Sequence, residues 1–371
     1  MTKSLFIQNN INQALNYFEN LDSVEDNIKT YFIYSPNALG ERKKEEERTF
    51  KYLKSKISQI EYISFQKISN IAKKDDVIFS TDSYDEMKVI KDLKLKLGNQ
   101  NRLLDSFEYD KIKTFTPFRH KVEKNLPHKF THDIYQASDE EVLRELNYYF
   151  YETHLAKEYF DIRNGVIGRD YSTKFSKYLS NGRLNVRYLY NYITDYEEEC
   201  GGNKSTYWIK FELLWREFFY WSYQKHRTKF FSLNGLKGET DYIRDLGNID
   251  FEKSFKKDPF MFACLRELVE TGFMSNRFRQ VFASNFIHTY KFDWREGAYF
   301  FEQYLIDYDV YSNWGNWQYL AGVGHDPRGT KVFNIFRQLE NYDPTLSHMK
   351  KWANIKNVED TKKVLQSIYQ Y

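Results

Sequence analysis

Four short apolar runs, Leu5-Phe-Ile7, Tyr31-Phe-Ile-Tyr34, Tyr62-Ile63 and Val77-Ile-Phe79, recur through the first hundred residues, separated by charged amphipathic stretches. Short runs rich in β-branched and aromatic side chains predict strands. Residues 41–57 and 84–97 carry the pattern of charged helices, the second closed by Gly98 in the position of a C-cap. Strands alternating with helices predict a small, mainly parallel α/β sheet. No glycine-rich phosphate loop follows the first strand, which argues against a dinucleotide site of the Rossmann type. The charge run from Glu41 to Glu47 is accounted for as the solvated face of its helix.

The pattern then changes. Residues 105–137 carry Thr116-Pro117, Leu126-Pro127 and little periodicity, and read as a connector. Ser138-Asp-Glu-Glu141 has the spacing of a capping box, and Val142, Leu143, Leu146, Phe150 and Thr153 follow at helical spacing. From there strand signals almost vanish. The expectation is a small α/β domain over 1–104, a connector over 105–137 and a large all-helical domain over 138–371, with no internal repeat.

Composition supports long elements. The 16 glycines and 6 prolines compare with about 26 and 19 at average usage in 371 residues, so breakers are scarce. Aromatic residues make up 19% of the chain, enough to build a core from rings and to leave some as stacking surfaces for a planar ligand or bases. A net charge of +3 permits a nucleic-acid partner without demanding one. Cys200 and Cys264 are too few for a four-cysteine metal site or a disulfide framework, which points to a reducing compartment. With no signal-peptide core at the start and no run of about 18 apolar residues, the chain reads as a soluble, cytoplasmic protein.

Four segments concentrate chemistry. Asp307-Tyr-Asp-Val-Tyr-Ser-Asn-Trp-Gly-Asn-Trp317 combines two carboxylates, an amide and two indoles. Such a mixture is costly to bury unless paired, so it marks either a site or an aromatic helix-to-loop junction. Ser172, Thr173, Lys174 and Ser176 gather hydroxyls and a cation before a helix, which suits a phosphate and equally suits an ordinary N-cap. In the helix that starts near Ser205, Glu212, Trp215 and Phe219 share one face with Arg216 adjacent, as a structural ion pair or an active-site acid. In Thr271-Gly-Phe-Met-Ser-Asn-Arg277 and the residues after it, Asn276 and Arg279 lie three apart. Arg279 is a natural two-pronged partner for a carboxylate of the 307–317 run.

Taken together, these segments resemble the photolyase/cryptochrome family, and within it the DASH branch. The resemblance is dense from Tyr159 to Phe219 and from Arg266 to Pro344. It takes in Asp293-Trp-Arg295, Ala321-Gly-Val-Gly324 and Asp326-Pro-Arg328, with Phe115-Thr-Pro-Phe-Arg-His-Lys-Val-Glu-Lys124 upstream. It implies an α/β domain followed by a helical domain that holds FAD, blue-light repair of cyclobutane pyrimidine dimers in single-stranded or looped DNA, and a monomer with no membrane partner. Ser172, Thr173, Lys174 and Ser176 would hold the pyrophosphate with help from Tyr159, and Phe175 and Arg216 would also border the cofactor. Asp307 would pair with Arg279 beside the flavin ring, Asp309 would face the flavin head or ribose, and Asn313 would tune its redox state. Glu212 and Asn276 would contact the dimer, Trp215 and Tyr319 would wall it, and Trp317 and Trp294 would form the inner part of a photoreducing tryptophan chain.

Three departures bear on function. The N-terminal domain is short and lacks the Arg-rich segment after its first strand, which argues against a folate antenna (methenyltetrahydrofolate). Phe251-Glu-Lys-Ser-Phe-Lys-Lys-Asp-Pro259 replaces the family's Trp and glycine-rich turn, with Phe262, Cys264 and Phe278 at further altered positions. The outermost tryptophan has no equivalent, and Tyr242 is the nearest substitute. A blue-light photoreceptor without repair is therefore the alternative reading. A (6-4) photoproduct enzyme is disfavoured because its histidine pair has no match and His325 stands alone in sequence.

Overall fold

The computed structural model describes the chain except residues 1–2, 9–10, 12–13, 16–27, 36–37, 58, 65–66, 75, 80–92, 98–99, 110–111, 136–138, 238–246, 248, 326–331 and 370–371. Two compact units result, each gathered from three segments: Met1–Phe107 with Asn125–Lys157 and Lys174–Leu213, and Glu108–Lys124 with Glu158–Thr173 and Leu214–Tyr371.

The first unit contains a five-stranded parallel sheet in the order β3-β2-β1-β4-β5, formed by β1 (Lys3–Ile7), β2 (Ile28–Tyr34), β3 (Ile60–Ser64), β4 (Val77–Phe79) and β5 (Lys96–Leu97). Leu5 of β1 lies opposite Thr30 on one side and Val77 on the other. Alternation along the strands sends Leu5, Ile7, Phe32 and Phe79 to one face and Phe6, Tyr31, Ile33 and Ile78 to the other. Both faces are covered, as a parallel sheet requires. Leu53 of α1 (Gly40–Lys56) packs with Ile57 on the first face, and Ile68 and Leu95 pack on the second. Each such side chain, fully buried, contributes roughly 1.5–3 kcal/mol.

Two expectations change here. Residues 84–92 and Gly98 lie outside the described residues, but 93–97 form a turn and β5 rather than a helix end. Leu93-Lys-Leu-Lys-Leu97 alternates with period two, which is a strand pattern. Ser138 also lies outside, and the helix Glu140–Asn147 is capped by Asp139, whose side chain accepts from Glu141 N and Val142 N. Finally, Asp139 and Glu141 serve a second purpose. The buried Arg183 donates to Asp139 at 2.6 Å, to Glu141 at 2.7 Å and to Glu45 of α1 at 3.3 Å. One guanidinium thereby ties the helix over the sheet to the start of the helical segment.

The second unit is all-helical among the described residues. It opens with α2 (Phe115–Glu123) inside the stretch read as a connector. Phe115, Phe118 and Val122 are its buried residues, an i, i+3, i+7 stripe that the prolines nearby obscure in the sequence. The end of α3 (Lys204–His226) follows, then α4 (Pro259–Thr271), α5 (Asn276–His288), α6 (Trp294–Tyr304) and α7 (Val310–Ala321). Asp258, Ser275, Asp293 and Asp309 each cap one of α4 to α7 through a side-chain oxygen that accepts from first-turn N–H groups. Gly272 and Gly322 end α4 and α7 at φ of 68° and 74°, where a side chain would strain the backbone. Helices α5, α6 and α7 pack on one another, and the 307–317 run leads into and forms the first part of α7.

Candidate functional site

Where α5, α6 and α7 meet, a recess opens. Asn276 and Arg279 reach it from α5, Asp307 and Asp309 from the loop ahead of α7, and Asn313 and Trp317 from α7. Six residues assigned from two separate sequence segments thus line one cavity.

The polar rim is held by a pair. Arg279 Nη2 lies 3.0 Å from each oxygen of Asp307, while Arg279 Nε donates to the Met274 carbonyl at 2.8 Å. The partnership was expected, but its form differs: one nitrogen spans both oxygens, because the backbone carbonyl takes the second prong. Asp307 is 8% exposed, so the pair is nearly desolvated and its attraction little screened. Tyr171 stands beside Glu267, Arg279 and Asp307, and burial first, then the acids, pushes its hydroxyl well above its ordinary value. Asp309 accepts from Ser312 N at 2.9 Å as the cap of α7 and lies 3.6 Å from Arg216 Nε of α3. A carboxylate read as a ligand contact therefore also performs structural work.

The apolar wall is equally constrained. Asn313 donates its amide to the Ala298 carbonyl at 2.9 Å, which fixes the side chain and leaves its oxygen as an acceptor. Trp317 is 2% exposed and meets Phe286 and Phe301 edge-on at 5.5 and 5.2 Å. It fits because α6 presents Gly297 there: a Cβ on Gly297 would stand 2.2 Å from Cη2 of Trp317. Gly315 likewise admits Phe219, whose ring would meet a Cβ at 2.2 Å.

Trp294 starts α6, donates its indole N–H to the Leu233 carbonyl at 3.0 Å, and packs edge-on against Trp314 at 5.6 Å. Trp215 stacks on Phe115 at 3.7 Å and 8° and stands perpendicular to Tyr319 at 6.4 Å and 75°. Both rings are half-buried, so they form two walls at right angles. Glu212 and Trp215 share α3, but Glu212 belongs to the first unit. The 172–176 cluster is likewise divided: Ser172 and Thr173 lie with Tyr159 in the second unit, and Lys174, Phe175 and Ser176 in the first. Lys174 adopts φ of 57°, Phe175 is buried against Tyr149 and Phe150, and Ser176 is exposed at the head of the helix Ser176–Asn181. The Phe175 side chain is thereby committed to ring packing.

Gln280, Ser312 and Asn316 also line the recess and were not singled out from sequence. Helical spacing from Asn276, Asp309 and Asn313 would have found them. The reshaped 251–264 stretch forms a short helix, Phe251–Phe255, and the start of α4, with Phe251 stacked on Phe300 at 4.2 Å and Cys264 fully buried. Phe278 packs edge-on with Phe260 and His348. His325 is not isolated in space: it lies 5.7 Å from His226, and its Nδ1 meets the Lys113 carbonyl at 2.9 Å. Burial lowers both histidines to about 4, so they stay neutral at pH 7. Tyr242 and the Asp326-Pro-Arg328 motif lie outside the described residues.

Comparison with known proteins adds to this geometry. The family described as the FAD binding domain of DNA photolyase matches residues 208–368. A cryptochrome DASH of Idiomarina loihiensis is 45% identical over 224 residues, which is 60% of this chain and 49% of that protein. A cryptochrome DASH of Xenopus laevis is 45% identical over 219 residues, 58% of this chain and 42% of that one. The chain thus spans about half the length of the curated relatives it matches. Among solved structures, a Synechocystis cryptochrome superposes with a TM-score of 0.79 at 27% identity, covering 99% of this chain and 91% of that one. A class III photolyase from Agrobacterium tumefaciens, at 18% identity and a TM-score of 0.68 over 95% of this chain and 87% of its own, shares the fold.

Proposed function

We propose that this chain, similar to photolyases and DASH cryptochromes, is a member of the photolyase/cryptochrome family that seats FAD against the Arg279–Asp307 rim and repairs cyclobutane pyrimidine dimers in single-stranded or looped DNA under blue light. The observation that carries the reading is the convergence of Arg279, Asp307, Asn313 and Trp317 on one recess. These residues fit the cofactor: a fixed cation, an anchored amide and an indole wall suit the edge and face of a planar, redox-active heterocycle.

When bound and reduced, FAD would supply the photoexcited electron that splits the dimer. Arg279, fixed by Asp307 and the Met274 carbonyl, would hold positive charge at the ring without needing to reorganise. Asn313 would present its amide oxygen to a ring N–H. Arg216, beside Asp309, would border the cofactor, and Tyr159, Ser172, Thr173, Lys174 and Ser176, with the backbone at Phe175, would hold its pyrophosphate. Glu212 and Asn276 would hydrogen-bond the dimer, whose damage lowers the cost of leaving the stack. Trp215 and Tyr319 would contribute apolar walls, and Trp317 and Trp294 would return electrons to oxidised flavin. The reading needs no folate antenna, since FAD itself absorbs blue light, and it assigns the FAD-binding part to 138–371 of a cytoplasmic monomer. Among the described residues no helix is long and apolar enough to cross a membrane.

The test is illumination of reduced, FAD-loaded protein with a dimer-containing single-stranded oligonucleotide. Recovery of thymine absorbance, and its loss in Glu212→Ala, is expected. No recovery with FAD bound and reduced excludes repair and leaves the photoreceptor reading. That alternative is favoured by one observation, the closed aromatic packing of Phe251 and Phe278 in the altered wall.

A further inference from the structure

Three indoles lie on or beside α7, and all are enclosed: Trp294 is 3% exposed, Trp314 6% and Trp317 2%. Trp317 faces the recess, Trp314 sits one helical turn before it on α7, and Trp294 touches Trp314 at 5.6 Å. An oxidised indole in this group has no direct access to water. It also has no base at Trp294, whose N–H is bound to the Leu233 carbonyl, and an amide carbonyl does not take up the proton of an indole.

The arrangement differs at Trp314. Its indole N–H donates to the hydroxyl of Tyr308 at 3.3 Å, and that hydroxyl donates to Glu302 Oε2 at 2.7 Å. Tyr308 and Glu302 are both only half-buried. A phenol that accepts from an indole and donates to a carboxylate can lose an electron and a proton in opposite directions. The electron leaves across the indole N–H to hydroxyl contact, and the proton along the hydrogen bond to Glu302 already made.

We propose that Tyr308 is the terminal electron donor of this chain and that Glu302 is its proton acceptor, with Trp314 as the link. The proposal rests on the reading of the recess as a flavin seat. Trp317, which lines the recess, would donate the electron that a bound oxidised flavin takes up on excitation, and the vacancy would pass through the indoles to Trp314. Tyr308 then returns one electron to the Trp314 radical cation. The Tyr308 O–H bond breaks, the proton forms a new O–H bond on the Glu302 carboxylate, and a neutral tyrosyl radical remains at the surface. An external thiol or other one-electron reductant restores Tyr308 by giving back an electron, with the proton returning from Glu302.

The experiment is transient absorption and electron paramagnetic resonance of the FAD-loaded full chain after a blue flash, in H2O and D2O, with FAD content measured first in every sample. Wild type should yield a long-lived neutral tyrosyl radical whose appearance slows in D2O. Tyr308→Phe should yield a tryptophanyl radical that decays about tenfold faster or more, and Glu302→Gln should form the tyrosyl radical about tenfold more slowly. A tyrosyl radical of wild-type yield and lifetime in Tyr308→Phe overturns the proposal. Wild-type kinetics in Glu302→Gln overturn the role of Glu302. Wild type that binds no FAD, or forms no radical with FAD bound, instead overturns the flavin reading, and this inference with it.

Discussion

A single nitrogen of Arg279 spans both carboxylate oxygens of Asp307 at 3.0 Å each, while its Nε is held by the Met274 carbonyl. The pair is therefore built into the junction of α5 and α7 rather than laid on the surface. Removing one member of a fully buried pair costs about 3–5 kcal/mol, because the other charge is stranded. The Arg279 side chain keeps 22% of its exposure, so about 2 kcal/mol is expected for Arg279→Ala in urea unfolding of the FAD-free protein. Arg279→Gln combined with Asp307→Asn should lose less than the sum of the single changes; additive losses would show that the pair is not coupled.

Gly297 lies inside α6, where alanine ordinarily gains about 1 kcal/mol in helix propensity. Here the added carbon would stand 2.2 Å from Trp317. Gly297→Ala should therefore destabilise by about 1–3 kcal/mol and disturb the near-ultraviolet circular dichroism of the indoles. A raised melting temperature with unchanged dichroism would mean that the cavity wall yields.

Asp309 holds two roles that a pair of substitutions can separate. Asp309→Asn keeps a cap of similar strength for α7 and loses the charge opposite Arg216. Asp309→Ala loses both, and should cost about 1 kcal/mol more in thermal unfolding. Equal losses would leave the cap without a measurable share.

Two carboxylates of the first unit give stability opposite pH dependences. Burial first, against Arg42 and the Ser35 N–H, raises Glu46 from 4.5 to about 7. The folded state then keeps a proton that the unfolded chain loses, so this contribution is full below pH 4.5 and is lost as pH rises to about 7. For Glu141 burial also raises, but hydrogen bonds from Arg183, Tyr178 and Lys177 prevail and bring it to about 2. Its contribution is full above pH 4.5 and is lost as pH falls toward 2. Urea midpoints across pH should show Glu46→Gln flattening the neutral limb and Glu141→Gln the acid limb; an unchanged profile in both variants contradicts the assignments.

Much of this was legible in the sequence, for local reasons. Apolar runs such as Val77-Ile-Phe79 and the charged stretch of α1 carry their period in a few residues. β5 was missed because Leu93 to Leu97 continues a charged stretch of helical composition, and only the sheet edge beside β4 recruits it. α2 was missed because its stripe is three residues wide and lies among prolines. At the site, residue types and the resemblance identified Arg279, Asp307, Asn313 and Trp317. The competing roles of Asp309 as cap and Phe175 as core ring, and the Trp314–Tyr308–Glu302 contact, depend on how distant segments fold together, which no local spacing encodes.

The proposed seat of FAD is the recess among α5, α6 and α7. Titration of the purified chain with FAD, followed by flavin absorbance and fluorescence, tests it most directly. Wild type should bind one equivalent, and Arg279→Ala and Asn313→Ala, each verified as folded by circular dichroism, should bind at least about tenfold more weakly, a loss of about 1.4 kcal/mol or more. Wild-type affinity in both variants would place the flavin elsewhere.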